Sequence, residues 1–265
     1  MGRILLYLST LCLLLGPALT LAFLKAGRAY PRLLNRSAIA AGFLFQTLFL
    51  IHRGREIGHC PLTNLFEVLI FLGWSITLFY FVIGHGYRIS LLGTFTGPLV
   101  ALLQLTALLA VTDAPHPRFL PHPAWVEWHA ALCIMAYAAF ALAGVAGVMF
   151  LAQEHRLKTR RLGPGFYEMP SITALATVNL RLIWAGAVLL TVGLASAWAL
   201  HPQVSAKIWI WGGSLWLLYL LLPLARRWSP RRLALLSAAA FVISVTALCL
   251  VGHFGTGASM GGAAL

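Results

Sequence analysis

Charge is what this chain has least of. Only 9% of its 265 residues are Asp, Glu, Lys or Arg, against 60% hydrophobic, and a chain so composed has too little polar surface to stand in water. Acids are scarcer still, six in all, and two of them, Glu154 and Glu168, lie in one break between apolar runs. There are no paired carboxylates, no phosphate loop and no nucleophile-base-acid spacing, so hydrolytic catalysis has little to work with. Cysteine is equally thin. Cys12, Cys60, Cys133 and Cys249 are scattered, with no C-x-x-C and no C-x-x-C-H, which excludes a dithiol oxidoreductase and a chain that itself carries covalent c-type haem. No long polar insertion, internal repeat or low-complexity segment interrupts the chain, apart from the Gly/Ala-rich tail after Gly255.

What is present is a series of apolar runs of membrane-spanning length. They fall at 4–24, 37–51, 65–84, 89–112, 129–152, 183–200, 208–225 and 233–253. At ~1.5 Å per residue, about 20 residues cross a hydrocarbon core of ~30 Å. The expectation is an all-α polytopic membrane protein of about eight transmembrane helices in a single domain, 1–265. The second run is short unless Leu33 and Leu34 extend it. The sixth starts near Ser171 if Thr177, Asn179 and Arg181 form an interfacial turn. Lys25, Arg28, Arg32, Arg36, Arg88, Arg156, Lys158, Arg160, Arg161, Arg226, Arg227, Arg231 and Arg232 lie in the loops after runs one, three, five and seven. That side has thirteen basic residues. The other has five, Arg3, Arg53, Arg55, Arg118 and Lys207. Short cytoplasmic loops carry the excess of Lys and Arg, so both termini are expected outside. A cleaved signal peptide over 1–24 would put Lys25 to Arg36 on the translocated side and break that bias. The net charge of +13 then reflects topology and anionic lipid, with no need of a nucleic-acid partner.

The stretch 58–84 joins a short polar lead-in, GHCPLTN, to one of these spans. Pro61 has no amide proton, Asn64 is a good N-cap and Glu67 follows three residues later, so a capping box is expected to open a helix at Leu65. Glu67 is either that cap or a functional carboxylate just inside the membrane. Arg53 and Arg55, on the same side, are a solvated positive pair or a bidentate grip for ligand carboxylates.

Histidine distribution is uneven once sides are assigned. His52, His59, His116, His122, His129, His201 and His253 fall on the outer side or its boundary, and only His85 and His155 fall inside. Imidazole on one face suits haem iron, zinc or copper. His52, His116 and His122 sit among charges and prolines and read as tolerated loop residues. His129 stands out, because it opens the fifth run in AWVEWHAALCIMAYAAF with Trp125 one turn away and Trp128 beside it. Tryptophans belong to any interfacial belt. An imidazole among them suits a planar apolar ligand with a charged edge. Cys133, one turn along, shares that helix face, and Cys60 falls in an outer loop open to oxidation.

Two of these stretches carry a resemblance. The pattern G-H-x-P-L-x-N-L-F-E at 58–67 followed by an apolar run is similar to the lead-in segment of the cytochrome c assembly protein family, the CcsA-type haem-handling subunits of System II biogenesis and their shorter HemX-like relatives. The run His129 to Phe140, with Tyr137, resembles the family helix that starts with an outward haem ligand. The resemblance implies His129 as an axial ligand to non-covalent haem b and a second ligand after the last helix, where His253 in LVGHFG is the only histidine. It implies a membrane-embedded partner set, the other cytochrome c biogenesis subunits, and a multi-pass location in a prokaryotic plasma membrane or organellar membrane. The chain departs from the family between runs six and seven. Trp198, Ala199, Lys207 and GGSLWLLY match the flanks of the tryptophan-rich WWD loop, but the loop itself is cut to WALHPQVSAK, and Leu224 stands where the family has a further histidine. The resemblance spans 56–232.

Three functions stay open on these grounds. The first is a haem-binding cytochrome assembly protein using His129, His253, Trp125, Trp128, His59, Arg53 and Arg55. A metal or solute transporter would need polar residues meeting in mid-membrane, whereas Gln46, Thr77, Gln104 and Ser244 read as isolated. A ligand-free scaffold or accessory subunit is the reading the shortened loop suggests.

Overall fold

Proline, glycine and capping residues divide the apolar chain into its elements. The computed structural model describes residues 2–26, 32–87, 92–110, 124–160, 170–198, 206–227 and 229–257. Among them there are eight α-helices and no strand: α1 (Gly2–Lys25), α2 (Arg32–Ile57), α3 (Leu65–Tyr87), α4 (Leu92–Ala110), α5 (Ala124–Lys158), α6 (Ile172–Trp198), α7 (Ala206–Leu221) and α8 (Pro230–Gly257). Six of them, α1 to α6, are long and apolar enough to cross a membrane, and α7 shares a shorter apolar stretch, Trp209–Leu224, with the 3-10 turn that follows it. The chain is an all-helical, polytopic membrane protein. His116, His122, His201, Arg118 and the tail after Gly257 lie outside the described residues.

Boundaries follow local chemistry. Asn64 Oδ1 accepts the Glu67 amide at 2.8 Å, and Glu67 Oε2 reaches back to the Thr63 amide at 2.9 Å, a capping box displaced by one residue. Ser171 Oγ accepts the Ala174 amide at 3.2 Å, and Ser229 Oγ the Arg232 amide at 3.1 Å with Pro230 in the first helical position, both N-caps. α2 ends where Gly58 turns to φ 78°, the left-handed C-terminal residue that glycine adopts without strain. Pro223 ends α7, and the chain continues as a 3-10 turn, Leu222–Arg227, because proline has no amide to extend the ladder.

Three expectations are corrected. His129 does not open its helix: α5 starts at Ala124, directly after Pro123, and its 35 residues run ~52 Å, longer than a bilayer core is thick. Asn179 forms no interfacial turn, although the helix does start near Ser171 as expected. α6 starts at Ile172, and Asn179 is buried, donating from Nδ2 to the carbonyl of Ala143 at 2.7 Å and to Ser237 Oγ at 2.8 Å; it ties α6 to α5 and α8, as amides do between membrane helices. Arg181 lies within α6 and is exposed, a place a long side chain tolerates by extending its charge toward the interface. Nor are all of the mid-membrane polar residues isolated: Gln46 has no hydrogen-bond partner among the described residues and Thr77 bonds only the Gly73 carbonyl of its own helix, but Gln104 and Ser244 find partners. Gln104 Oε1 accepts from Thr10 Oγ1 at 3.2 Å and from Ser9 Oγ at 3.3 Å, and Tyr219 and Ser244 hydroxyls pair at 3.2 Å.

The helices pack as two groups. α1 to α4 form one, and α6 and α8 flank α5 in the other, with α3 against α5 between them. Ala136, Ala138, Ala139, Ala141, Ala143 and Ala146 of α5 are fully buried, and such small side chains let neighbouring backbones approach closely. Phe140 stacks on Tyr219 of α7, ring centroids 3.4 Å apart.

Candidate functional site

The outer end of α5, as the charge bias assigns it, meets the last turns of α6. The two run antiparallel: Phe140 lies against Gly186, and a Cβ on Gly193 would stand 2.8 Å from Cys133 Sγ. Glycine at 193 lets the backbones close up, and the Gly193 carbonyl thereby comes 2.6 Å from His129 Nδ1. A carbonyl only accepts, so Nδ1 carries the proton. Ser196 Oγ donates to the same carbonyl at 2.6 Å and lies 3.2 Å from Nδ1. In the neutral ring Nε2 then keeps its lone pair, with the Cys133 sulfur 4.0 Å away. An imidazole whose Nδ1–H is held by a backbone carbonyl, leaving Nε2 as donor, is the arrangement that orients histidine toward a metal. The donor chemistry therefore fits haem iron. Trp125 is half-buried one turn before His129, and Trp128 is 68% exposed, so it faces away from the bundle as an interfacial anchor does.

The lead-in loop adjoins this end. Cys60 donates its amide to Glu127 Oε2 at 3.2 Å, which ties the loop to the first turn of α5, and His59 Nδ1 lies 3.1 Å from the Cys60 carbonyl. Burial, then the carboxylates of Glu127 and Glu67, push the Cys60 thiol above its ordinary value. Arg53 and Arg55 do not share a face, since residues two apart on a helix point to different sides. Arg53 Nε donates to the buried Glu67 at 2.9 Å, while Arg55 is exposed. Glu67 also accepts from Thr63 Oγ1 at 2.7 Å. Glu67 thus caps its helix and pairs with Arg53.

α8 runs antiparallel to α5, with Gly144 against Phe241 and Gly147 against Ser237. Twelve residues past Phe241, His253 comes roughly level with the turn twelve residues before Gly144, the turn next to His129. The shortened segment 199–205 lies outside the described residues, but its flanks stay near the site: a Cβ on Gly212 of α7 would stand 3.0 Å from Leu194 of α6, and Trp216 Nε1 donates to Thr191 Oγ1 at 2.8 Å. Leu224 is half exposed in the 3-10 turn at the opposite end. The sequence reading missed Gly193, Ser196 and Glu127. Glycine and serine seven and ten residues after Gly186 were the available signal for a close helix seam, but nothing in them marks a carbonyl as a histidine's partner.

An all-helical bundle in which six helices are long and apolar enough to cross a membrane defines the class of polytopic membrane proteins. More particularly, the chain belongs to the family described as Cytochrome C assembly protein, whose model matches residues 62–258. Similar relatives include the cytochrome c biogenesis protein CcsA of Microcystis aeruginosa, 26% identical over 85% of this chain and 88% of its own length. The CcsA of Synechococcus sp. is 27% identical over 89% of each. That of Chlamydomonas reinhardtii is 26% identical over 76% of this chain and 60% of the relative.

Proposed function

We propose that this chain is a membrane subunit of cytochrome c biogenesis that holds haem b, without covalent attachment, at its outer face, with His129 Nε2 as an axial ligand. The observation that carries the reading is the 2.6 Å contact of His129 Nδ1 with the Gly193 carbonyl, which commits the ring to the tautomer that offers Nε2. Haem bound there supplies an iron that takes imidazole nitrogen as an axial donor. The chain's own part is orientation. Gly193 and Ser196 fix the ring, and Trp125 lends a flat apolar wall. His253 is the candidate for the second axial position, with His59 as the other outer histidine of the same region. Arg53 and Arg55 are left for propionate recognition, Arg55 more readily because Arg53 already serves Glu67. The partners are other biogenesis subunits, and the membrane is a prokaryotic plasma membrane or its organellar counterpart.

The test is the absorption spectrum of the protein purified in mild detergent, oxidised and reduced. Wild type is expected to show a haem band that His129→Ala removes or shifts at unchanged yield, because a half-buried histidine near a helix end contributes little to packing. His253→Ala has an equal or smaller effect. His85→Ala, on the far side of the membrane, has none. A wild-type protein that carries no haem and takes up none overturns the assignment and leaves the ligand-free scaffold suggested by the shortened loop.

A further inference from the structure

The family resemblance gives Glu127 no role, yet its carboxylate makes a long-range contact. Glu127 Oε2 accepts the Cys60 amide at 3.2 Å, bridging 67 positions in sequence. The loop that donates this bond, 58–64, is short and doubly fixed. Its start follows Gly58, in the left-handed region at φ 78°, with the Gly58 amide bonded to the Gly54 carbonyl at 2.9 Å. Its end is held by Glu67, which takes both the amide and the hydroxyl of Thr63. Both of those anchors belong to helices adjacent in the chain, α2 and α3. The bond from Glu127 differs, because it alone among the described contacts of this loop's backbone runs to α5, two residues before His129. A carboxylate in the first turn of a helix is favoured by the dipole alone. The dipole, however, does not require the side chain to turn toward a neighbouring loop and satisfy an amide that has no other partner among the described residues.

We propose that Glu127 is a positioning residue: its carboxylate latches the 58–64 loop, and His59 with it, to the first turn of α5, and so sets how that loop closes beside the His129 site. The site that the latch serves rests on the haem reading above, whereas the latch itself does not. Its chemistry is a charge-assisted hydrogen bond from a backbone amide, which a side-chain amide reproduces in geometry at lower strength.

The experiment uses the full chain in mild detergent as wild type, Glu127→Gln and Glu127→Ala. It reads hydrogen-deuterium exchange over 58–66 and, on haem-loaded samples, the reduced spectrum and the rate of haem loss to an external acceptor. Glu127→Ala is expected to speed exchange at Cys60 by about tenfold, the loss of one net hydrogen bond, and Glu127→Gln to restore most of the protection. Exchange in α6 and α8 stays as in wild type, which shows that the variants fold. The Ala variant also sheds haem faster or shifts its band, and the Gln variant does so less. Unchanged exchange at Cys60 in Glu127→Ala overturns the latch. Faster exchange with an unaltered spectrum and haem-loss rate overturns its positioning role. A wild type that takes up no haem defeats the haem reading alone, and the exchange arm then still decides whether the latch exists.

Discussion

Gly193 has no side chain, yet the position of His129 depends on it. A Cβ there would meet Cys133 Sγ at 2.8 Å, closer than van der Waals contact allows, so Gly193→Ala must turn the Cys133 side chain out of its place or push α6 from α5 and draw the carbonyl away from Nδ1. Overpacking of this kind costs about 1–3 kcal/mol. Thermal unfolding in detergent should show a lowered midpoint for Gly193→Ala, partly recovered in the double variant with Cys133→Ala, which removes the atom it strikes. Failure of the second change to recover any stability would mean that the seam is not the cause. Cys60 permits a prediction of a different kind. Burial and two carboxylates raise its thiol above the ordinary 9.0, and the thiolate is the reactive form. Alkylation of Cys60 at neutral pH should therefore be slower than that of an unperturbed thiol, with a rate still climbing past pH 9. A profile that levels off by then contradicts the assigned surroundings. Neither effect is legible in the sequence, where Cys133 and Gly193 are 60 positions apart and Cys60 precedes its carboxylates.

At the scale of elements, one ion pair joins α2 to α3 next to the 58–64 loop, while Trp74 Nε1 donating to Thr47 Oγ1 and the Phe49–Phe66 contact join them further along. Glu67 is 1% exposed and Arg53 17%, so Arg53→Ala leaves a buried carboxylate with only the neutral Thr63 donors among its described contacts, at a cost of about 3–5 kcal/mol. Glu67→Gln keeps the acceptor for Thr63 and should cost less. Equal losses in the two variants, measured by chemical or thermal unfolding, would show that charge pairing is not what holds the joint. The capping box itself was readable, because Asn64 and Glu67 are three apart on one chain and need only each other. Arg53 was not readable as its partner, since the pairing depends on how α2 folds back past the 58–64 loop. Asn179 makes the same point for α6. Read along the chain it looks like an interfacial residue, but between helices it finds the Ala143 carbonyl and Ser237. Asn179→Leu should destabilise the α5, α6 and α8 group by about 0.5–2 kcal/mol, the range measured for such bonds in membranes. A neutral or stabilising result would remove it from the clamp.

For the whole molecule the open quantity is sidedness. The α1–α2, α3–α4, α5–α6 and α7–α8 junctions, loops with the helix ends that flank them, hold thirteen of the nineteen basic residues, which predicts both termini and the His129 end outside. A reporter active only in the cytoplasm, fused after Arg161, should be on, and the same reporter fused after Pro121 should be off. The inverse pattern would turn the histidine-bearing end toward the cytoplasm and remove the outer-face haem site with it.

The sequence by itself determined the class of fold, a polytopic bundle of apolar helices, and the capped start of α3 at Leu65, because each of these follows from short-range patterns that a bilayer or a helix end imposes on any chain. Only the tertiary structure decided which nitrogen of His129 is free, that Glu67 serves Arg53, and that Glu127 reaches the Cys60 amide. Those facts depend on contacts between helices far apart in sequence. In lipid, helix pairs are selected by close packing and by a few hydrogen bonds, and composition carries no record of which carbonyl or amide a side chain will meet.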